Sequence, residues 1–456
     1  MTPPLRVLHV ITGLAAGGAE QQLRLLLRHL PEERVRCEVA VLTNPGMLAE
    51  LIAADGVPVA DVGMRGNRDF AATRRLTRMI GAGGRDGAYD LVHVHLYRAM
   101  LHGRLAARLA GVPHLLATEH SLHPERIEGR RVNAAIRGLY VAGERLGEMT
   151  VAVSDAVAEA LAGWRVPASR VRVLPNALDT AAFAHRPERR AELRGRLSIP
   201  GDRPVIAAVG RLEADKEWPV LLRAVAAMAD TEPLLAVVGE GSRRAELTAL
   251  AERLGIARRV VFTGESGEVA SWLDAADALA SPSPRETFNL AVVEGLAAGL
   301  PVAWRCAPAL ARARLDAGMA RQVGTDEAGA WREALEGLLT AHPPTGVRAS
   351  VPVGVLERFS PERLGASMAS LYEELAGRPG LRRIAAGRAV RRRAAGRPYS
   401  LAPTRRSRTS SKSPAPLTGR AAPRLEPGVR GGEGDRLPDG SGPDTHPHSL
   451  TEGHHG

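Results

Sequence analysis

The sequence has few cysteine and aromatic residues and no long apolar run, and these absences narrow the class of protein. Its 456 residues include 2 cysteines, and phenylalanine, tryptophan and tyrosine together make up 3%. Cys37 and Cys306 lie far apart in the chain, so neither a disulfide framework nor a cysteine metal site is expected. No segment reaches the roughly 18 to 20 uninterrupted apolar residues that span a bilayer, and no basic leader precedes a long apolar run at the start. The sequence therefore predicts a cytoplasmic protein, with peripheral contact at the inner face of the membrane as the alternative.

Positive charge is concentrated at one end of the chain. Residues 378–456 hold 16 basic and 6 acidic residues, a net charge of +10 out of +11 for the whole sequence. Few large apolar residues occur there, so burial cannot offset the entropy of ordering this segment. We expect a basic, disordered, low-complexity tail. Dense arginine attracts phosphate, which leaves RNA, DNA or an anionic membrane as partners of the tail, although composition favours a solvated segment and nucleic acid is not the expected partner.

Strand-like apolar runs alternate with amphipathic stretches, the pattern of parallel sheets with helical crossovers. The first unit is a strand at Arg6–Ile11, a glycine loop and a helix at 19–30. Further strands are predicted at 37–42, 91–95, 114–117, 150–153, 171–174, 205–209, 234–238, 259–262 and 278–280, and later helices at 221–228, 243–254 and 361–375. The fold class is α/β, with a Rossmann-like domain over residues 1–168 and a second one over residues 169–355. A helix within 356–376 lies beyond the second series of strands and can pack on either domain, with a return to the first domain as the leading interpretation. Residues 377–456 form the tail.

A glycine loop follows the first predicted strand. Ligands of open parallel sheets bind beyond the carboxyl ends of the strands, where helix N-termini offer N–H groups to anions. Gly13, Gly17 and Gly18 occupy such a position. Their spacing is not G-x-G-x-x-G, which disfavours a nicotinamide oxidoreductase. A tight turn without a ligand is an equally good interpretation of this loop alone.

One lysine occurs in the predicted folded part. Of 61 basic residues 59 are arginine, and the two lysines are Lys216 and Lys412. Lys216 follows Gly210-Arg211-Leu212 at the end of a predicted strand, where an ammonium beside a guanidinium suits a phosphate. The alternative is a pair of solvated loop charges.

The segment Ser281–Val302 has two carboxylates at a regular spacing. Glu286 and Glu294 are eight residues apart, about two helical turns, so both can project from one side of a loop and helix. Phe288, Asn289 and Leu290 between them form the expected helix start. Carboxylates accept hydrogen bonds from vicinal hydroxyls, so the pair suits the hexose and ribose of a sugar nucleotide. A simple favourable charge at a helix N-terminus is the alternative for Glu286.

No metal site and no cofactor are predicted. The sequence has no Asp-x-Asp pair, an arrangement that can hold a divalent cation. His93 and His95 alternate on a predicted strand, and we expect their rings to face opposite ways. This expectation argues against a metal pair and leaves one of the two rings to line a cleft.

Together these segments resemble the retaining glycosyltransferases of the group 1 family, whose GT-B architecture places two Rossmann-like domains across a cleft. The resemblance extends over about residues 5–376. The matching motifs are Glu286 and Glu294 (E-x7-E), Gly210-Arg211-Leu212 with Lys216, Val238-Gly239-Glu240-Gly241, Pro175-Asn176, Gly17-Gly18, and His120 in ATEHS.

The resemblance implies that the second domain grips a nucleotide-sugar donor. Arg211 and Lys216 would hold the pyrophosphate and take up charge as the nucleoside diphosphate leaves. Gly210 and Gly239 belong to the same donor-binding set. Transfer would keep the anomeric configuration, with a leaving phosphate oxygen acting as base and with no metal.

The remaining motif residues would surround the two sugars. Glu294 would hold the ribose hydroxyls and Glu286 those of the transferred sugar, while main-chain N–H groups at 288–290 assist the phosphates. His120 would contact the sugar from the first domain. Gly17-Gly18 would let that domain close over the donor and the acceptor.

The sequence departs from the family pattern at three places near the donor. Ala177 replaces a glycine of the linker turn, Glu217 replaces the glycine after the lysine, and the chain after Val302 reads AWRCAPAL without a glycine pair. These differences concern loop geometry and leave the expected fold unchanged.

Several functions remain open at the level of sequence. A catalytically silent sugar-nucleotide-binding protein and a sugar-nucleotide epimerase fit the same fold, whereas a pyridoxal-dependent phosphorylase would have to use Lys216. The acceptor is a glycan, a lipid-linked sugar or a small molecule. Arginines near a possible lipid contact are Arg126, Arg130, Arg131, Arg137 and Arg145, for which a solvated helix surface is an equal alternative.

Overall fold

The structure, a computed structural model, describes residues 3–15, 17–128, 130–350 and 353–381. The predicted tail from residue 382 onward lies outside the described residues. In the described part of the chain, no helix has the length and apolar character that a bilayer span requires.

The described residues form two parallel sheets with helical crossovers and one small antiparallel sheet. The strands are Leu5–Ile11 (β1), Val35–Val41 (β2), Val59–Asp61 (β3), Leu91–His95 (β4), His114–Glu119 (β5), Leu122–His123 (β6), Arg126–Ile127 (β7), Arg130–Arg131 (β8), Met149–Ala152 (β9), Val171–Val173 (β10), Val205–Val209 (β11), Leu234–Val238 (β12), Val260–Gly264 (β13), Ala278–Ser281 (β14), Val302–Trp304 (β15) and Ala320–Gln322 (β16). The α-helices are Gly18–His29 (α1), Gly46–Ala54 (α2), Phe70–Ala82 (α3), Tyr97–Ala110 (α4), Ala134–Glu144 (α5), Asp155–Gly163 (α6), Thr180–Phe183 (α7), Pro187–Arg196 (α8), Trp218–Ala227 (α9), Arg244–Arg253 (α10), Val269–Ala275 (α11), Leu290–Ala297 (α12), Ala328–Ala341 (α13), Val353–Leu356 (α14) and Pro361–Ala376 (α15).

The first domain is built on a seven-stranded sheet in the order β10-β9-β5-β4-β1-β2-β3. Both faces of β1 are buried, as expected of a parallel strand covered by helices on both sides. Leu8 and Val10 join a core with residues of α3 and α4. Val7 belongs to a core with residues of α1 and α15, and Ile11 to one with residues of α1 and α2. Alternating residues of one strand thus pack into cores on both faces of the sheet.

The second domain is built on a six-stranded sheet in the order β13-β12-β11-β14-β15-β16. Ile206 and Ala208 of β11 pack towards α9 and α13, whereas Val205 and Ala207 pack towards α11 and α12. The predicted α/β class with two doubly wound sheets is confirmed.

Each sheet has a point where the strand order reverses. In the first sheet β1 lies between β2 and β4, and in the second β11 lies between β12 and β14. The crevice beyond the carboxyl ends of the strands at such a point is where open α/β sheets bind ligands. The glycine loop follows β1, and the loops that carry Lys216 and Glu286 follow β11 and β14.

The predicted boundary between the domains falls just before β10. This strand lies within the predicted second domain, residues 169–355, but it pairs in parallel with β9 of the first sheet, with Val171 opposite Thr150. The first sheet therefore extends beyond the predicted boundary at residue 168. A short apolar strand at the junction of two similar units carries no local signal that tells which sheet it will join.

The last described helix, α15, packs on the first domain. Met368, Tyr372 and Leu375 share a core with Val7 and Leu26. Gly365 allows the contact with α1, because a Cβ atom there would lie 2.0 Å from the main-chain oxygen of His29. The chain thus leaves the second domain and returns to the first.

Several short elements had no clear sequence signal. The edge strands β3, β15 and β16 have three residues each, and β6 to β8 form an antiparallel sheet of two-residue strands. Segments this short do not display a measurable hydrophobic period.

Candidate active site

An ion pair joins the loops after β11 and β14. Lys216 Nζ lies 2.5 Å from Glu286 Oε1, and 19% and 15% of the two side chains are exposed. Ser283 on the Glu286 loop also donates through Oγ to the main-chain oxygen of Asp215, at 3.4 Å. Two strand ends that neighbour each other in the sheet thereby bring a cation and a carboxylate together in a partly exposed position.

The backbone around Lys216 is tightly folded. Residues Ala214–Lys216 form a 3-10 turn, and Glu217 then adopts the left-handed conformation with φ 57° and ψ 33°. Glycine takes this conformation without strain, whereas a residue with a Cβ atom does so at a cost. Glu217 therefore keeps the left-handed backbone conformation that the glycine of the family pattern would adopt without strain.

Gly210 and Gly239 lie at adjacent strand ends. Gly239 has φ 147°, and a Cβ atom there would lie 2.0 Å from the main-chain oxygen of Gly210. The loop after β11 and the turn after β12 can touch only because this position carries no side chain. Gly210 and Gly239, both members of the predicted donor-binding set, thus allow the two loops to approach each other through their backbones.

Arg211 is more exposed than Lys216. Its side chain is 68% exposed, and its guanidinium lies 3.9 Å from Asp215 Oδ2. Its main-chain oxygen accepts a hydrogen bond from Trp218 Nε1, at 2.9 Å. The residue is anchored through its backbone, so the charged group is free to reorient.

The helix α12 begins in the same crevice. Asn289 precedes it with φ 71°, and no side chain caps the helix. The Asn289 side chain is used elsewhere, since Nδ2 donates to Ser281 Oγ and to the main-chain oxygen of Cys306. Phe288 is 3% exposed and packs edge-on against Phe359. The side chains of Phe288 and Asn289 thus hold the helix start in place, and its main-chain N–H groups are the part suited to a ligand.

Glu294 lies one turn into α12 and is partly buried. Burial raises the pKa of Glu294 to about 7. Gly295 beside it packs on Leu279 of β14, where a Cβ atom would meet Leu279 Cδ1 at 3.0 Å. The small residue seats α12 against the sheet and holds the Glu294 carboxyl group in a poorly solvated position.

The first domain closes on this region from the opposite side. A Cβ atom at Gly18 would lie 3.5 Å from Leu290 Cδ1, so the start of α1 meets the start of α12. Ser154 Oγ donates to the main-chain oxygen of Thr287 at 2.5 Å. Thr287 Oγ1 in turn donates to the main-chain oxygen of His120 at 2.7 Å. Gly17, the residue before α1, lies at the same entrance.

His120 ends a cluster of buried histidines. Its Nε2 lies 3.3 Å from His95 Nδ1, and burial lowers the pKa of His120 to about 4. The expectation that His93 and His95 face opposite ways is wrong, because the two ring centroids are 4.1 Å apart. Side chains alternate with a period of two along a strand, so residues two apart share a face.

Sequence reasoning missed three residues at the junction of the domains. Ser154 and Thr287 make hydrogen bonds across the cleft, and His123 lies close enough to Glu286 for the carboxylate to act on the pKa of the imidazole. That pKa is lowered, mainly by burial. Thr287 stands next to Glu286 in the sequence, but its role depends on the facing domain. Only tertiary contact identifies it.

The linker between the domains is held by one side chain of α1. Gln22 Nε2 donates to the Ala177 oxygen, and the Ala177 N–H donates to Gln22 Oε1, both at 2.8 Å. The φ angle of Ala177 is not positive, so this turn does not require the glycine that the family pattern has there. The departure at residue 177 is structurally neutral.

Comparison with known proteins adds an independent line of evidence. The model of Glycosyltransferase Family 4 matches residues 16–182, and the model of Glycosyl transferases group 1 matches residues 189–310. The 2-deoxystreptamine N-acetyl-D-glucosaminyltransferase of Streptomyces fradiae is 31% identical over 330 residues, which are 63% of this chain and 74% of that protein. The D-inositol 3-phosphate glycosyltransferase of Streptomyces griseus is 32% identical over 328 residues, 63% of this chain and 69% of that protein.

Solved structures with the same fold are more distant in sequence. HepE of Anabaena, in complex with UDP and glucose, aligns with a TM-score of 0.69 at 19% identity, covering 81% of this chain and 100% of that one. The sucrose-phosphate synthase of Thermosynechococcus elongatus aligns with a TM-score of 0.66 at 19% identity, covering 81% of this chain and 99% of that one. The resemblance, the fold and the enzyme class predicted from the sequence are thereby confirmed: this chain is a glycosyltransferase that belongs to the group 1 family and has the GT-B fold.

Proposed function

We propose that this glycosyltransferase is a retaining enzyme that moves a hexose-type sugar from a UDP- or GDP-sugar to an acceptor without a metal ion. The observation that carries the proposal is the Lys216–Glu286 ion pair at 2.5 Å, at the switch point of the second sheet and opposite Gly18 and His120 of the first domain. HepE of Anabaena has been solved with UDP and glucose, and separately with UDP-glucose, which supports a nucleotide-sugar donor for the shared fold.

In this proposal, binding of the donor separates Lys216 from Glu286. The pyrophosphate binds the Lys216 ammonium, and the Glu286 carboxylate is released to accept hydrogen bonds from hydroxyls of the transferred sugar. The exposed Arg211 guanidinium swings in as a second cation. Lys216 and Arg211 together neutralise the leaving diphosphate, the part that a divalent cation plays in other enzymes.

The remaining groups orient the donor. Glu294 takes the ribose hydroxyls, and the uncapped start of α12 at 288–290 offers N–H groups to phosphate oxygens. His120 contacts the transferred sugar from the first domain, and Gly17-Gly18 leaves room for the diphosphate and the acceptor hydroxyl. The bond between the anomeric carbon and the diphosphate oxygen breaks, the acceptor oxygen bonds to that carbon on the same face, and the leaving phosphate oxygen takes the acceptor proton. Attack on the face of the leaving group retains the anomeric configuration.

The acceptor is proposed only as a class. The two relatives are named for transfer to 2-deoxystreptamine and to D-inositol 3-phosphate, which are small polyhydroxylated rings. A glycan and a lipid-linked sugar are the alternative acceptors. Peripheral contact with an anionic membrane and a cytoplasmic location stay predictions from the sequence.

The test begins with the purified protein and a panel of nucleotide sugars. Thermal shift with UDP, GDP and ADP identifies the base, and release of the nucleoside diphosphate measures turnover in the presence of EDTA. Glu286→Gln removes the carboxylate with little change of volume, and we expect kcat to fall by about 100-fold or more. Glu268→Gln, an exposed carboxylate of the same domain that pairs with Arg196, is the matched control.

Two results would contradict the proposal. Near-normal turnover of Glu286→Gln removes the assignment of the site, and loss of activity with EDTA that added Mg²⁺ restores removes the metal-independent mechanism. The configuration of the product, read by NMR from its anomeric coupling, decides between retention and inversion.

A further inference from the structure

Hydrogen bonds connect two buried histidines and two half-buried residues, Cys37 and His120, in a line through the first domain. Cys37 Sγ on β2 lies 3.6 Å from His9 Nε2 on β1. His9 Nδ1 lies 3.1 Å from His95 Nε2 on β4, and His95 Nδ1 lies 3.3 Å from His120 Nε2. We call Cys37, His9, His95 and His120 the histidine chain. It begins far from the cleft and ends at the histidine proposed to meet the donor sugar.

Each member of the histidine chain is uncharged at neutral pH. Burial lowers the pKa of His9 to about 3 and that of His95 well below its ordinary value. Burial raises the pKa of the Cys37 thiol to about 12. A neutral imidazole has one N–H donor and one acceptor nitrogen, so no member can donate at both of its ends.

Because each ring has one donor and one acceptor, all three hydrogen bonds of the histidine chain must point in the same direction, either from Cys37 towards His120 or the reverse. If Cys37 donates to His9 Nε2, then His9 must donate through Nδ1 and His95 through its own Nδ1. His120 then accepts at Nε2 and carries its proton on Nδ1. If the chain runs the other way, every tautomer is reversed, so the state of His120 depends on a thiol three hydrogen bonds away.

The chemistry of the thiol selects one direction. An imidazole nitrogen is a good acceptor and a thiol sulfur is a weak one, so S–H···N is favoured over N–H···S. His120 Nδ1 is itself buried and has no hydrogen-bond partner among the described residues. The end of the histidine chain is therefore a buried N–H group that lacks a protein acceptor among the described residues.

We propose that Cys37, His9 and His95 are positioning residues that hold His120 in the Nδ1–H tautomer, so that it donates a hydrogen bond to an oxygen of the donor sugar. The proposal rests on the proposed function for the identity of the ligand, but the tautomer itself can be measured without turnover. An unconstrained histidine side chain favours the opposite, Nε2–H tautomer, so the chain has a measurable effect on His120.

The same histidines could in principle bind a metal ion. One ring nitrogen from each of His9, His93 and His95 lies within 4.8 Å of the others. All six ring nitrogens of these residues already have a partner, however, and those of His93 are Tyr372 OH and Thr118 Oγ1. A complete set of hydrogen bonds favours the metal-free chain.

The experiment reads the tautomer directly. In deuterated protein with ¹⁵N-labelled histidine, the two ring nitrogens of His120 are assigned by comparison with His120→Asn. We expect the wild-type ring to be protonated on Nδ1, and His95→Phe to convert it to a mixture or to Nε2–H. His93→Phe is the matched control, because His93 lies on the same strand and face but is outside the chain. It should leave the His120 tautomer unchanged.

A second pair of variants covers the case in which His95→Phe does not fold. Cys37→Ala removes the terminal donor and should relax the His120 tautomer, whereas Cys37→Ser keeps a hydroxyl donor and should preserve it. A wild-type His120 protonated on Nε2, a tautomer that is indifferent to both His95→Phe and Cys37→Ala, or stoichiometric zinc in the purified protein would overturn the proposal.

Kinetics separate this proposal from the proposed function. With the chain broken by His95→Phe we expect kcat to fall about tenfold, the effect of one misdirected hydrogen bond, while the Kd of the nucleoside diphosphate stays within about twofold. If the tautomer changes as expected but His120→Asn has full activity, the proposal for the histidine chain is supported and the role of His120 in transfer is contradicted. If His120→Asn is inactive and the tautomer never responds, the role of His120 stands and the chain falls.

Discussion

Folding stability and ligand binding favour different protonation states of one side chain at the site, Glu294. Glu294 is proposed to accept hydrogen bonds from ribose, which requires its carboxylate form. Yet burial raises its pKa from 4.5 to about 7, so the folded protein holds the proton more tightly than the unfolded chain does. The stabilising contribution of the protonated group is fully present below about pH 4.5 and is lost as pH rises through about 7.

We therefore predict that Glu294→Gln stabilises the protein at high pH. At pH 8 its free energy of unfolding should rise by up to about 3 kcal/mol, since one unit of pKa corresponds to about 1.4 kcal/mol. At pH 5 the difference should fall to about 1 kcal/mol or less, because Glu294 is then protonated in the folded protein and resembles glutamine. Urea denaturation at both pH values measures it, and Glu333→Gln on an exposed face is the control.

The same variant should bind nucleoside diphosphate more weakly at pH 8. Wild-type affinity should decline more steeply than that of Glu294→Gln as pH falls through about 7, because Glu294 takes up a proton only in the wild type. Calorimetric titration with UDP or GDP at pH 6 and pH 8 makes the comparison. Equal pH dependence in both proteins would show that Glu294 does not accept the ribose hydroxyls.

At the scale of elements, glycine decides which helices can approach closely. The Gly365 position of α15 faces the backbone of α1, with a prospective Cβ atom 2.0 Å from the His29 oxygen and 2.6 Å from its carbonyl carbon. Backbone atoms cannot move aside as a flexible side-chain end can. The return of α15 to the first domain thus depends on an absent side chain.

Gly365→Ala should lower stability in spite of the better helix propensity of alanine. We expect a loss of about 1 to 3 kcal/mol from the forced separation of α15 and α1. Gly138→Ala in α5 is the matched control, because nothing lies within 4 Å of its prospective Cβ atom, and it should gain about 0.5 to 1 kcal/mol. Chemical denaturation compares the three proteins, and a Gly365→Ala variant as stable as Gly138→Ala would show that the two helices do not meet in solution.

At the scale of the whole molecule, a few polar contacts hold the two domains together over the cleft. Thr287 bonds the His120 backbone, and Ser154 bonds the Thr287 backbone. The Arg312–Asp155 ion pair also crosses the cleft at 3.0 Å, but the two side chains are 70% and 41% exposed, so solvent weakens it. Within the part of the chain that the structure describes, so small a set of hydrogen bonds across the cleft is consistent with domains that open and close around a substrate.

Thr287→Val should shift this balance towards an open cleft. The valine keeps the shape of threonine and removes the hydroxyl that donates to His120, so we expect a two- to tenfold increase in the Kd of the donor diphosphate. Small-angle scattering without ligand should report a larger radius of gyration. Thr248→Val is the control, because its hydroxyl bonds only the Arg244 oxygen of its own helix. An unchanged Kd and radius for Thr287→Val would mean that this bond does not contribute to closure.

The sequence by itself determined the repeating strand and helix units, the glycine loop after β1 and the positions of Lys216 and Glu286 at strand ends. These follow from periods of two and 3.6 residues and from turn chemistry, which act over a few neighbouring residues. The shared face of His93 and His95 also follows from the sequence, because side chains two residues apart on a strand point the same way. The expectation of opposite faces misapplied that period.

Only the tertiary structure decided which distant segments meet. It assigned β10 to the first sheet, seated α15 on α1, joined Thr287 to His120 and aligned four side chains from separate segments into the histidine chain. It also set the raised pKa of Glu294, because desolvation depends on how much of the protein surrounds a carboxyl group and not on its neighbours in the chain.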